Sequence, residues 1–392
     1  MNRREPSIYL DFSATTPVDP EVSAVVHDHM MNTFGNASSV HAYGRTAKVI
    51  LEESRERIAA SIRAEPSEVF FTGGGTEADN HALVGTALAR KRAKGQDHII
   101  VSSIEHHAVL DCAEYLQNSG FSVSLIPVDS NGIVDTDALR KAMRPSTAIV
   151  SVMHVNNEVG SIQPLKELSE IVKAYDCSFH TDAVQSYGKI PFTVVDSGID
   201  LAALSAHKIY GPKGIGALYI RKGTDIDALL HGGAQERKNR AGTENIPLIA
   251  GFAKGVEVME IGRESLYQQA QRQKAQMLKI ITASCGHVIV NGSDNTTVPH
   301  ILSVSLDAAA YDVEGESMLL NMDLKGIAVS SGSACTSGSV QPSHVLLAMG
   351  RDVRTTQATI RFSIGRGTTD EEIERGAETF CAIARQFERT HR

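Results

Sequence analysis

Two short stretches decide the fold: Ser178-Phe179-His180-Thr181-Asp182 and, further on, Leu201-Ala202-Ala203-Leu204-Ser205-Ala206-His207-Lys208. Each is an apolar, strand-like run that ends on a residue with chemistry to offer, Asp182 in one and Lys208 in the other. Comparable runs occur at 69–72, 99–102, 123–127, 149–155 and 217–221. Amphipathic stretches separate them, such as 79–90, stopped by Gly95, and 164–175, which opens with proline. Strands that alternate with helices predict an α/β fold with a mostly parallel seven-stranded sheet covered on both faces. In such a sheet the C-terminal strand ends gather on one rim, so Asp182 and Lys208 are expected to be neighbours.

A long helix is predicted over 245–283, because Ile249, Phe252, Val256 and Met259 recur at steps of three and four. Beyond it the pattern turns α+β: a strand at 301–306, a helix near 315–323, a Gly/Ser stretch at 330–339, a strand at 359–363 and a final helix. A large domain over 16–262 and a smaller one from 1–15 plus 263–392 are therefore expected. The chain has 392 residues, 42% of them hydrophobic, which excludes a disordered or disulfide-scaffolded chain. Its formal net charge of −8 offers no general attraction to nucleic acid or anionic lipid. Five scattered cysteines without a C-x-x-C pair argue against a zinc knuckle or redox dithiol and suggest a reducing compartment. With no apolar leader and no run near the length of a membrane span, a cytoplasmic protein is expected, with no metal site of its own.

Three clusters carry chemistry. Thr72-Gly73-Gly74-Gly75-Thr76-Glu77 runs from a strand into a helix, a turn that exposes backbone N–H groups to an anion but lacks the spacing of a nucleotide-triphosphate loop. Lys208 follows a buried strand, where desolvation lowers the pKa of an amine and frees it to attack an aldehyde as a Schiff-base lysine does. At the end of another strand, Asp182 is placed to keep a pyridine nitrogen protonated. A dinucleotide fold is excluded, since Gly211-Pro212-Lys213-Gly214-Ile215-Gly216 does not have the G-x-G-x-x-G spacing.

Taken together, these residues resemble the cysteine desulfurases of the NifS/IscS type, members of the class V aminotransferases and fold-type I pyridoxal phosphate enzymes. The likeness runs nearly end to end. It includes Tyr9-Leu10-Asp11-Phe12-Ser13-Ala14-Thr15-Thr16-Pro17, Phe34-Gly35-Asn36-Ala37-Ser38-Ser39, Thr76-Glu77-Ala78-Asp79-Asn80, Glu105-His106, Met153-His154-Val155-Asn156-Asn157-Glu158, Arg240-Ala241-Gly242-Thr243 and Ile360-Arg361-Phe362-Ser363. Departures are small: Gly73-Gly74-Gly75 stands where relatives often carry Ser-Gly-Ala or Ser-Gly-Gly, and His107 where many have Lys or Pro.

The resemblance implies pyridoxal 5′-phosphate (PLP) as cofactor, held covalently by Lys208, with Asp182 on the ring nitrogen and His106 stacked on the ring. It places Gln185 and Asn157 near the phenolic oxygen and the substrate side, and Gly75, Thr76, Ser205 and His207 around the phosphate. Thr243 is expected to reach the phosphate of a neighbouring subunit, which implies a homodimer. Arg361, with Asn36 nearby, is expected to bind the carboxylate of L-cysteine, and Asn157 also lies on the substrate side. Cys335, in Ser330-Ser331-Gly332-Ser333-Ala334-Cys335-Thr336-Ser337-Gly338-Ser339, is expected to take the substrate sulfur as a persulfide, leaving L-alanine, on a loop that composition predicts to be mobile. Sulfur acceptors stay open: an iron–sulfur scaffold is the broad expectation, with thiolation of tRNA or DNA as alternatives. Two rivals are an aminotransferase or selenocysteine lyase on the same fold, and a catalytically silent docking subunit.

Overall fold

The computed structural model describes residues 8–313, 316–331 and 342–389. Its strands, in chain order, are β1 (Ile8–Tyr9), β2 (Val69–Thr72), β3 (His98–Ser102), β4 (Ser122–Ile126), β5 (Thr147–Ser151), β6 (Ser178–Asp182), β7 (Leu201–Ser205), β8 (Gly216–Ile220), β9 (Val288–Val290), β10 (Ile301–Leu306), β11 (Ile327–Ala328) and β12 (Thr359–Ser363). Seven of them form one sheet in the order β2-β8-β7-β6-β5-β3-β4. Only β8 runs against its neighbours; every other adjacent pair is parallel.

The six strands other than β4 are buried along their whole length, which is why they read as continuous apolar runs. At the edge, β4 is mostly exposed or half-buried, and Ser122 and Ser124 interrupt its apolar residues. The C-terminal ends of β2, β3, β5, β6 and β7 point to one rim, as the alternation predicted. Past β2 the chain winds into a helix, Gly75–Asn80, continues through a wider π-type turn at His81–Gly85, and runs on as Thr86–Lys94. Gly95 stops it with φ 69°, a conformation that costs glycine little.

The long helix spans Ile246–Ser284, within a residue of expectation at each end. Asn245 caps it by accepting from Leu248 N, and Pro247 occupies its first turn. Phe252, Val256 and Met259 pack into the core beneath the large sheet, whereas Met277 and Ile281 pack into a second core. That second core is built on the antiparallel sheet β9-β10-β12 and the helix Asp370–Ala384.

The first described strand belongs with the last elements of the chain. β1 pairs in parallel with β11, and Ile8 and Leu10 lie in the second core beside Leu302, Ile360 and Phe362. Two residues later Phe12 sits in the first core. The N-terminal segment thus crosses from one core to the other just before Ser13 and Ala14.

Cys112, Cys177, Cys285 and Cys381 are free and buried. Cys335 and the mobile Gly/Ser stretch expected after Ser331 lie outside the described residues. Among the described residues no helix is long and apolar enough to cross a membrane, and no group of three or more His, Cys, Asp or Glu is placed to hold a metal ion.

Candidate active site

The strand-end rim closes around a cavity of about 340 Å³, within the range of roughly 300–1,000 Å³ typical of small-molecule sites. Lys208 enters it from the tight turn Ala206–Lys208 that follows β7. The backbone then reverses through Tyr210, whose φ is 63°. Thr16 fixes this turn: its N and Oγ1 donate to His207 O, both at 3.0 Å, and Tyr210 N donates to Thr16 Oγ1 at 2.8 Å. Lys208 Nζ donates to the carbonyls of Ser13 and Ala14, the crossing segment. Desolvation, with Arg361 assisting, lowers its amine to about 8, while Asp182 and Asp11 pull the other way. An amine at that value is neutral in a useful fraction near neutral pH.

Asp182 ends β6 on the cavity floor and is 6% exposed. Val184 N donates to its Oδ1 at 2.8 Å. Burial pushes its pKa up; His106, that N–H and Lys208 pull it down. Behind it stands a second carboxyl, Asp79, 1% exposed and 3.5 Å from His180 Nε2. His180 is itself held by Ser151 and kept neutral by burial, so it does not balance a charge on Asp79. Burial and Asp182 together raise Asp79 well above the carboxylate range. Two buried carboxyls that act on each other disfavour joint ionisation, and of the pair it is Asp182 that has an N–H donor and a lysine to favour its charged form.

His106 caps the helix His107–Asn118 by accepting from Ala108 N at 3.0 Å, and its ring lines the cavity. Desolvation lowers its pKa, so the imidazole is neutral at neutral pH. Beneath it Glu105, fully buried, accepts from Ser102 Oγ and from Met153 N at 2.8 Å, and burial pushes it to about 8.

On the opposite wall, Gly75 and Thr76 start the helix after β2, next to Ser205 and His207. A Cβ at Gly75 would stand 2.8 Å from Val184 Cγ2, so only glycine lets this turn approach the neighbouring strand end. Glu77 steadies it by accepting from Gly73 N at 2.8 Å and by a two-pronged bond to Arg240. His207, lowered to about 4 by burial and nearby lysines, is neutral and lies 3.1 Å from Thr15 Oγ1.

Arg361 reaches in from β12, 4% exposed. Its NH2 donates to Asp11 Oδ1 at 2.7 Å and its NH1 to Asn157 O at 2.8 Å, while its buried Nε has no partner. Gln185 and Asn157 complete the lining, with Ser330 at the edge, where its backbone pairs with that of Arg361.

Of the residues singled out from sequence, one chain brings together Lys208, His106, Gly75, Thr76, Asn157, Asp182, Gln185, Ser205, His207 and Arg361. Two stand apart. Thr243 is exposed and does not line this cavity, and Asn36 is exposed, with its Oδ1 accepting from Ser38 N at 2.8 Å. Sequence reasoning assigned no role to Asp79, Glu105 or the Ser13 and Ala14 carbonyls. For Asp79 a signal existed: it sits three and four positions after Thr76 and Gly75, hence on the same helix face.

Comparison with known proteins gives the chain a family. Residues 8–375 match the aminotransferase class-V family. The chain belongs to that family. Among its curated relatives, the cysteine desulfurase IscS of Dictyoglomus turgidum is 46% identical over 93% of this chain and 91% of its own length. A solved NifS-like protein superposes with a TM-score of 0.89 at 35% identity, covering 97% of this chain and all of that one. SspA, solved in complex with cysteine, gives 0.80 at 34% identity over 91% of this chain and 99% of its own.

Class-V aminotransferases of the desulfurase group depend on PLP. The cavity fits that cofactor on its own chemistry. A lysine of lowered basicity is present to bond its aldehyde, a buried carboxylate facing the cavity awaits a cationic ring nitrogen, and a glycine turn with hydroxyl and imidazole groups suits its phosphate.

Proposed function

We infer that the chain is a PLP-dependent cysteine desulfurase that takes sulfur from L-cysteine, releases L-alanine and carries the sulfur as a persulfide on Cys335. The observation that carries this reading is the convergence of Lys208, Asp182 and Arg361 on one cavity from three separate strands. Bound PLP supplies an electron sink that stabilises the carbanion left when the substrate loses its α-proton.

Everything else falls to the chain. Arg361 binds the substrate carboxylate, held in orientation by Asp11 and by Asn157 O. Lys208, lowered to about 8, would hold the cofactor through its aldehyde, and its amine is the group placed to remove and return the proton at Cα. Asp182 would hold the ring nitrogen in its protonated form, and His106, on the cavity wall, would stack on the ring and move protons at the sulfur side. Gly75, Thr76, Ser205 and His207 hold the phosphate. Cys335 follows Ser330, at the cavity edge, by five positions, and at ~3.3–3.6 Å per residue that length of chain spans the site. The thiolate attacks the substrate sulfur, and the electrons of the C–S bond return to the substrate carbon, which is protonated to give alanine.

The functional unit is a homodimer in which Thr243 of each chain serves the partner's phosphate. Its exposure outside its own cavity supports this, as does the apolar surface at Met30, Met31, Phe34, Val40 and Tyr43. The acceptor is a sulfur-handling protein of the cytoplasm, by default an iron–sulfur scaffold, with a thiolation enzyme as the second reading.

Mass spectrometry after mixing the holoenzyme with L-cysteine tests the assignment. One added sulfur on Cys335 with an equivalent of alanine is expected. Alanine without the adduct would point to a lyase that releases sulfur to solvent. Recovery of a DNA-modification partner alone from a pull-down would remove the iron–sulfur default.

A further inference from the structure

Lys189 stands behind the cofactor cavity and lines a second, small cavity beside the long helix, with Lys208 in the walls of both. Its Nζ donates to Gln185 Oε1 at 2.9 Å. Gln185 is 4% exposed and faces the cofactor cavity, and its Nε2 donates to Ser13 O at 2.9 Å. That same carbonyl accepts from Lys208. An amide side chain has one oxygen and two N–H groups. Lys189 occupies the oxygen and Ser13 takes one N–H, which leaves the second N–H for the cavity.

The surroundings of Lys189 make it an expensive residue to keep. Burial lowers its amine to about 7, and the cations Lys208 and Arg361 push the same way. His207 and His300 are in turn lowered by it, and Arg263 lines the same small cavity. A partly buried lysine among cations destabilises the fold, so packing alone is a poor account of its presence.

We propose that Lys189 is a positioning residue: it pins the Gln185 oxygen, so that the site presents an amide N–H donor to the phenolic oxygen of the cofactor. The proposal rests on the PLP reading above. Without Lys189 the amide is free to turn its oxygen inward, where it would repel an anionic oxygen.

Absorbance of the bound cofactor, titrated against pH without substrate, reads this out. Lys189→Met and Gln185→Leu each remove a contact that favours the less protonated cofactor, so each should raise the midpoint by about one pH unit. Because Lys189 acts through Gln185, the double variant should move no further than Gln185→Leu alone, and Lys189→Arg, which keeps a donor, should return the midpoint towards wild type. Lys189→Leu replaces the Met variant if the latter fails to fold by thermal melting. An unmoved midpoint in the apolar variants, or shifts that add in the double variant, would overturn the proposal while leaving the PLP reading intact. A wild-type protein that takes up no PLP overturns both.

Discussion

Arg361→Lys separates the geometry of the substrate site from its charge. The native guanidinium has two anchors, Asp11 Oδ1 at 2.7 Å and Asn157 O at 2.8 Å, and its buried Nε is unpaired. The anchors hold a planar fork whose remaining N–H groups can meet a carboxylate side by side. A lysine offers one ammonium, which cannot serve Asp11, Asn157 and a substrate at once in that geometry. Losing one charge-assisted hydrogen bond is worth about 1.5–3 kcal/mol, or roughly ten- to a hundredfold in kcat/KM. The loss should fall mainly on KM, because the carboxylate is bound alike before and during the chemistry. Lysine keeps the positive charge that helps hold Lys208 near 8, so the basicity of Lys208 should change little. Arg361→Leu removes that charge, and the Lys208 amine should then rise above its present value. Alanine released from L-cysteine, followed over a range of substrate, gives kcat and KM, with cofactor absorbance as the check on occupancy. A KM for Arg361→Lys within about twofold of wild type would refute the carboxylate role.

Other consequences are as direct. Cys335→Ser should retain the cofactor colour yet form no persulfide by mass spectrometry; an undiminished persulfide yield would reject its role. Reconstitution of the apoenzyme with PLP, followed by stopped-flow absorbance, should speed up as pH rises and level off near 8, because only the neutral amine of Lys208 attacks an aldehyde. A plateau reached only near 10.5, where an ordinary lysine titrates, would contradict its lowered value. Glu236→Ala should cost about 3–5 kcal/mol in denaturant unfolding, because it strips a bidentate partner from Arg55, which is 2% exposed, and an acceptor from Phe71 N. A loss within ~1 kcal/mol would mean that Arg55 finds another partner.

The positions of the strands were legible because a doubly covered sheet needs apolar runs, and such runs stand out between polar helices; their order in the sheet was not. The long helix was legible for the same reason, since its apolar residues keep one period across both cores. Pairing of β1 with β11 was not: two residues carry too little pattern, and their partner lies far along the chain. The helix Ala42–Ser61 also escaped notice, its buried side mixing Gly44, Ser54 and Arg55 with apolar residues. At the site, Lys208 and Asp182 were readable because strand ends converge. Glu105 was not assigned, since its importance comes from neighbours that only folding supplies, and Asp79 went unassigned although its spacing from Gly75 and Thr76 put it on the site's helix face. Lys189 drew no reading from the sequence; what sets it apart is the amide oxygen it holds.

The crossing of the N-terminal segment between the two cores also orders the birth of the enzyme. The segment that gives Lys208 its carbonyl acceptors leaves the ribosome early, yet its strand partner β11 and, 350 residues after Asp11, the Arg361 that binds it emerge only near the end of synthesis. Until then a nascent chain can build much of the large sheet and expose Lys208, but it has no finished pocket around that amine. Substrate binding is thereby tied to completion of synthesis: a truncated product keeps the residues proposed to hold the cofactor but lacks Arg361 and Ser330, and an N-terminal deletion that removes β1 strips β11 of its strand partner.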